Sequence, residues 1–335
     1  MSHYKYDVVG FGEALIRFHP THNQRIEQAS SFDVYVGGPE INPCITLSRF
    51  GLRTGWVSKL VNNPLGRMIA NKAREQGVDI SRVIWTKEGR TAFYFLELGA
   101  KPRPSQIIYD RKETAASNLR SGEIDWSFLK NTKVLLVGGI TPALSKSCEE
   151  AVIEAMRVAK DVGCLLAFDV NYRARLWTQE QAYRSMTSMM KYVDILFSTI
   201  EDTERVFYIQ GTPEERCTQL REKYDLPIVC ITIKDVRGVW SGAWSSVVCG
   251  KNGQTLRTPG KYELEVIDRV GAGDNFVAGF LYGYLTGAKE NSLQRGMTYG
   301  DATAAFMHSI PGDFNWTTLE EIESVMKGED VKIRR

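Results

Sequence analysis

No stretch of the 335-residue chain approaches the roughly 18 consecutive apolar residues that a membrane-spanning helix needs. The opening MSHYKYDVVGFGEAL has no basic segment followed by an apolar run and a small-residue cleavage site, so a secretory signal is not expected. Cysteine is sparse: Cys44, Cys148, Cys164, Cys217, Cys230 and Cys249 include no C-x-x-C pair, which argues against a disulfide or zinc framework. Most sit in apolar segments as small hydrophobes, and a reducing cytoplasm is the expected compartment. The four histidines, His3, His19, His22 and His308, lack metal-ligand spacing. Charge is nearly balanced at +2, which gives no reason to expect a nucleic-acid or membrane partner. A G-x-x-x-x-G-K-[ST] phosphate loop is absent, and VVGFGEAL has Leu15 where a dinucleotide-binding G-x-G-x-x-G needs its third glycine.

What is present is the balance of a globular protein, 43% hydrophobic and 24% charged, long enough for one large domain or two ordinary ones. Continuous apolar runs at Tyr6 to Gly12, Lys133 to Gly139, Cys164 to Val170, Asp194 to Ser198 and Pro227 to Ile233 predict strands buried on both faces, as in a parallel sheet. Helical patterns lie between them. One is expected to start at a capping box of Ser147 and Glu150 and to stop at Gly163; others begin at Thr178 with Gln181 and at Thr317 with Glu320. This alternation predicts a three-layer α/β/α core. Ile16 to Val36 and Thr91 to Arg111 instead alternate aromatic or β-branched residues with polar ones, and read as half-exposed antiparallel strands. They serve equally well as a lid or as surface decoration. The expected division is a core of 1–15, 37–90 and 112–335, with 16–36 and 91–111 inserted as a small β lid.

The most informative stretch is DRVGAGDNFVAG, Asp268 to Gly279. Gly271 and Gly273 let backbone N–H groups approach a ligand, and Asp274 falls at the mouth of a helix, where unpaired N–H groups and the dipole attract anions. An N-cap role there is worth about 1 kcal/mol. A cap alone needs neither the two glycines nor the small Ala278 and Gly279 one turn on. A phosphate held by amides, beside a carboxylate that accepts a proton from an attacking hydroxyl, explains the whole string.

This string resembles the C-terminal signature of the ribokinase (PfkB) family of sugar kinases, D-T-x-G-A-G-D-x-F-x-x-G, with Arg269 in place of threonine. VYVGGPEINPCITLSRFG resembles the family's sugar-binding G-G-x-x-x-N, here Gly37, Gly38 and Asn42. The likeness runs from Tyr6 to about Val325. Within the family, DVNYRARLW, IIYDR and IPGDFNW are most similar to members that phosphorylate 2-keto-3-deoxygluconate. The resemblance implies that Gly38, Asn42, Tyr94, Tyr109, Arg111, Arg173 and Asp313 line a sugar-acid site. It implies that Asn171, Lys234, Gly238 and Gly271 to Gly273 lie along ATP, and that Asp274 is the base beside the amides of Ala272, Gly273 and Asp274. Guanidinium groups suit a substrate carboxylate, so Arg111 and Arg173 are its expected donors. Tyr94 and Tyr109 stand equally as surface aromatics of a sheet.

ATP and Mg²⁺ are the implied cofactors, and a monovalent cation is left open. Where the family often has N-x-x-E near the metal, STIEDTE puts Thr199 and Asp202, so no side chain is assigned as a direct metal ligand. The expected reaction is phosphorylation of the C6 hydroxyl of 2-keto-3-deoxygluconate. A fructokinase or ribokinase-like kinase of a neutral sugar is the alternative, and a non-catalytic sugar-acid sensor is a reading of another class. The expected partners are small molecules, with a homo-oligomer formed through the lid.

Overall fold

The computed structural model describes residues 4–328. His3 and the outermost parts of the expected core, 1–3 and 329–335, lie outside the described residues. In chain order, β1 (Tyr6–Phe11) is followed by β2 (Leu15–Pro20), β3 (Phe32–Gly37), β4 (Thr54–Val57) and the short β5 (Lys59–Val61) and β6 (Ile84–Thr86). Then come β7 (Ala92–Glu97), β8 (Gln106–Asp110), β9 (Thr132–Gly138), β10 (Leu165–Asp169), β11 (Ile195–Thr199) and β12 (Ile228–Val236). Last are β13 (Ser241–Gly250), β14 (Thr255–Arg257) and β15 (Tyr262–Glu265).

Nine of these strands form one sheet in the order β14-β13-β12-β11-β10-β9-β1-β4, with β15 also paired to β13. From β4 to β12 every pair is parallel; β13, β14 and β15 add an antiparallel edge. Successive residues of each central strand feed opposite cores, as the period of two requires. Leu135, Val137, Leu166, Phe168 and Leu196 pack with Ala151, Ala155 and Met186 on one side. Val134, Leu136, Ala167, Ile195 and Phe197 pack with Phe276, Phe280 and Met297 on the other. Both faces are therefore covered by helices, which is why these strands read as unbroken apolar runs. All six cysteines are free and buried.

Two helix starts differ from expectation. The helix Lys146–Asp161 is capped by Ser145, whose hydroxyl accepts from the amide of Cys148; Ser147 lies inside the first turn. The helix Leu319–Met326 is capped by Thr318 with Glu321, one residue past the expected pair. In each case two nearby hydroxyl residues compete, and the cap taken, Ser145 or Thr318, has extended backbone. The box of Thr178 and Gln181 stands where expected, and Gly163 ends its helix at φ 74°.

The two alternating stretches form a separate four-stranded sheet, β3-β2-β7-β8. β2 with β3 and β7 with β8 are antiparallel, and the two pairs join through a parallel β2–β7 seam. Register places Val34, Phe18, Phe95 and Ile108 in one row across all four strands, and Tyr35, Arg17, Tyr94 and Tyr109 in the next row, on the opposite face. The second row turns toward the C-terminal ends of the large sheet's parallel strands.

Candidate active site

A cleft of about 440 Å³ opens between Tyr94 and Tyr109 of that row and the ends of β10, β11 and β12. Ligand sites of open α/β sheets lie there. Of the expected site residues, Gly38, Asn42, Tyr94, Tyr109, Arg111, Asn171, Arg173, Lys234, Gly271, Gly273, Asp274 and Asp313 all line it. Ala272 and Gly238 do not. Ala272 is buried as the first residue of the helix Ala272–Thr286, and the carbonyl of Gly238 is turned to Arg269.

The helix begins at Gly271, whose φ of 81° lies in the left-handed region. A Cβ there would also come within 2.6 Å of the Asp313 carbonyl oxygen, so conformation and space both require glycine. Asp274 is the third residue of the helix, and its carboxylate does not cap it. Its Oδ2 accepts instead from Nδ2 of Asn42, at 2.7 Å, while Oδ1 of Asn42 accepts from the amide of Gly38, at 3.1 Å. The side chain is thus held toward the cleft, beneath helix amides with no intrahelical partner. Burial, together with the charge of nearby Asp169, pushes its pKa up to about 8.

Arg111 is already engaged. Its Nε and Nη2 both donate to Oε2 of Glu13, and the hydroxyl of Thr114 donates to Oε1 at 2.8 Å. Arg173 is exposed, and its protein hydrogen bond is a long one of 3.5 Å to the Tyr172 carbonyl. Of the two expected guanidinium groups, Arg173 is therefore the more available to an anion. The Asp313 carboxylate is likewise occupied, accepting from the Tyr94 hydroxyl and from Arg17.

On the other wall, Asp169 ends β10 and Asp202 enters the short helix Ile200–Arg205, whose cap is Thr199. Burial and the charge of Asp202 raise Asp169 to about 7; burial also raises Asp202, against the pull of Arg173 and Lys234. Burial and neighbouring Arg173 lower the ammonium pKa of Lys234. Glu201 lies outside the cleft lining.

Glu13, Arg17, Glu40 and Asp169 went unassigned in the sequence reading. Glu40 accepts from the Gly138 amide at 2.9 Å, and burial followed by the charge of Asp274 raises its pKa well above the carboxylate range. For the three acids the available signal was a carboxylate inside an apolar stretch, glycine-rich in GFGEAL and GGPEIN and purely strand-like in LLAFDV.

An amide-lined helix start, a carboxylate aimed into the cleft and cationic side chains above it form the constellation of a phosphoryl-transfer enzyme acting on a hydroxyl. The chain belongs to the pfkB family of carbohydrate kinases, whose family model matches residues 5–315. It is 33% identical to the 2-dehydro-3-deoxygalactonokinase of Haloferax volcanii, over 98% of this chain and 99% of that protein. It is 28% identical to the 2-dehydro-3-deoxygluconokinase of Bacillus subtilis, over 97% of each. The crystal structure of 2-dehydro-3-deoxygluconokinase from Thermotoga maritima superimposes with a TM-score of 0.92 at 36% identity, covering 98% of this chain and all of that one.

Proposed function

We propose that the protein transfers the γ-phosphoryl group of ATP to the C6 hydroxyl of 2-keto-3-deoxygluconate. The observation that carries this reading is the Asp274 carboxylate, fixed by Asn42 toward the cleft at a helix start while Arg173, held by one long hydrogen bond to a carbonyl, stands across from it. In the reaction Asp274 accepts the hydroxyl proton as the sugar oxygen attacks phosphorus and the bond to ADP breaks; solvent then removes the proton. The amides of Ala272, Gly273 and Asp274 meet the charge that develops on the transferred group. Tyr94, Tyr109, Gly38 and Asp313 position the sugar, Arg173 receives its carboxylate, and Arg111 supports that end from its Glu13 anchor. Asn171, Lys234 and the Gly238 turn lie on the nucleotide side.

Magnesium fits the acidic wall: Asp169 and Asp202 face the cleft without a direct salt bridge among the described residues, leaving charge for a cation to neutralise. Among the described residues no group of three or more His, Cys, Asp or Glu side chains is arranged to hold a metal ion, so Asp169 and Asp202 would act through water. The bound ion supplies charge neutralisation for the triphosphate.

Residues 16–36 and 91–111 act as a lid on the remaining core and exclude water from the transfer. The lid's outward row is apolar, with Val34 and Ile108 exposed at 47% and 43% beside Phe18 and Phe95. A second copy of the chain covering this row makes the protein a homo-oligomer through its lid. The six free, buried cysteines suit a reducing cytoplasm, where this reading places the enzyme. Among the described residues no helix is long and apolar enough to cross a membrane.

The test is ADP formation with a panel of 2-keto-3-deoxygluconate, its galactonate epimer, fructose and ribose. The highest kcat/KM for 2-keto-3-deoxygluconate supports the reading, and a higher kcat/KM for the galactonate epimer, fructose or ribose overturns it.

A further inference from the structure

Arg17 is a charged residue in the middle of a strand, yet only 1% exposed. Burying a guanidinium carries a large desolvation cost unless its charge and N–H groups are matched. Here the charge is matched and the N–H groups are matched in part: Nη2 donates to Asp268 at 2.5 Å and Nη1 donates to Asp313 at 3.2 Å, while Nε finds no partner among the described residues. The acids have further partners: Asp268 accepts from the backbone amides of Val270 and Gly312, both close to 3 Å, and Asp313 accepts from the Tyr94 hydroxyl. Arg17 also lies over the ring of Tyr35, 5.0 Å from its centroid.

The position of this cluster is more telling than its strength. Arg17 and Tyr94 are register partners across the parallel seam, one from each antiparallel pair of the small sheet, and both reach Asp313. Asp313 in turn is wedged against two glycines. A Cβ on Gly37 would lie 2.3 Å from its Oδ1, and a Cβ on Gly271 would lie 2.6 Å from its carbonyl oxygen. The other acid, Asp268, opens the segment that runs through Val270 into the amides at the start of the helix. Arg17, Tyr35 and Asp268 border a second cavity of about 280 Å³, so a displacement of β2 reaches the 268–273 segment through the ion pair and the backbone bonds of Asp268 rather than through close packing.

We infer that Arg17 is a positioning residue, which locks the phosphate-facing segment 268–273 to the seam of the small sheet and so makes the amide cradle depend on where that sheet sits. This deepens the proposed kinase reading and rests on it for the catalytic readout. A purely structural ion pair would lower stability alone. A positioning residue changes the local order of 268–274 and the rate with both substrates bound, because misplacement of a catalytic group lowers turnover steeply.

The test uses Arg17→Lys, which keeps the charge but offers one ammonium in place of a fork, and Arg17→Met. The first readout is hydrogen exchange in the free protein. Peptides covering 268–274 should exchange at least about tenfold faster in Arg17→Lys, while peptides from β9 keep wild-type protection. The second is kinetic: kcat should fall at least about tenfold, with the ADP dissociation constant within about threefold of wild type. Folded Arg17→Lys with unchanged exchange at 268–274 and unchanged kcat overturns the inference, as does faster exchange spread evenly through β9. If Arg17→Met does not fold, Arg17→Lys decides alone. The exchange result does not depend on the sugar, so a wild-type enzyme that prefers another substrate would sink the proposed function and leave this inference standing.

Discussion

The side-chain amide of Asn42 donates to the carboxylate of Asp274 across 2.7 Å, joining the helix that follows β3 to the helix into which the phosphate-facing segment runs. These two residues are 232 positions apart in the chain. The bond does two things. It aims the carboxylate into the cleft, and it favours the ionised form against burial and the charge of Asp169.

Replacing Asp274 with Asn should lower kcat by about 10² or more while nucleotide still binds, since a positioned base contributes about 10² to 10⁴ in rate. Single-turnover phosphorylation and ADP titration measure the two effects separately.

The same replacement should stabilise the ligand-free protein. An unfolded aspartate ionises near 3.8, whereas the folded group titrates near 8. Between those values the native state holds a proton that the unfolded state has released, so stability falls as pH rises. Removing the group should raise stability at pH 8 by about 1–2 kcal/mol, with little gain at pH 4. Denaturant titrations at the two pH values check the sign.

Asn42→Ala removes a bond that lowers the pKa of Asp274. The acidic limb of the kcat/KM profile for the sugar should therefore move to higher pH, and activity at pH 7 should fall more than activity at pH 9. A uniform loss at all pH values would assign Asn42 to sugar binding alone.

Arg111 and Arg173 should separate cleanly. Arg111→Met strands Glu13, a buried acid, and should cost about 3–5 kcal/mol of stability; Glu13→Gln with Arg111→Met should recover most of it. Arg173→Met should leave stability nearly unchanged but raise KM for an acid substrate about tenfold or more, with KM for a neutral ketose little affected. Thermal melts and paired substrate kinetics distinguish them.

Arg269, where family members carry threonine, donates to the carbonyls of Gly238, Val239 and Ser241, the turn between β12 and β13. Arg269→Thr frees that turn. KM for ATP should rise about three- to tenfold, with KM for the sugar unchanged.

The central strands were legible because each carries a continuous apolar run, and the glycine-rich helix start because its composition has few other uses. The small sheet was legible as strands but not as a topology: alternation shows which residues share a face, whereas the parallel seam between β2 and β7 is set by tertiary docking. Helix caps were misplaced by one or two residues where neighbouring hydroxyls offered equal signals, as at Ser145 and Ser147. The polar partners were least visible. Arg111 looked available for a ligand because Glu13 stands 98 residues away, and the tie from Arg17 to Asp313 spans 296. Nothing local in either stretch records such a pairing.

The parallel seam also has a bearing on assembly. Each antiparallel pair of the small sheet closes through a local connection, whereas the β2–β7 seam closes a much longer loop that contains two helices and β4. Arg17 then waits for Asp268 and Asp313, near the far end of the chain. A nascent polypeptide still lacking that end would hold an uncompensated guanidinium where the finished protein is dry, which favours leaving that face open until synthesis is nearly complete. The catalytic pocket is thus among the last parts of the molecule to exist.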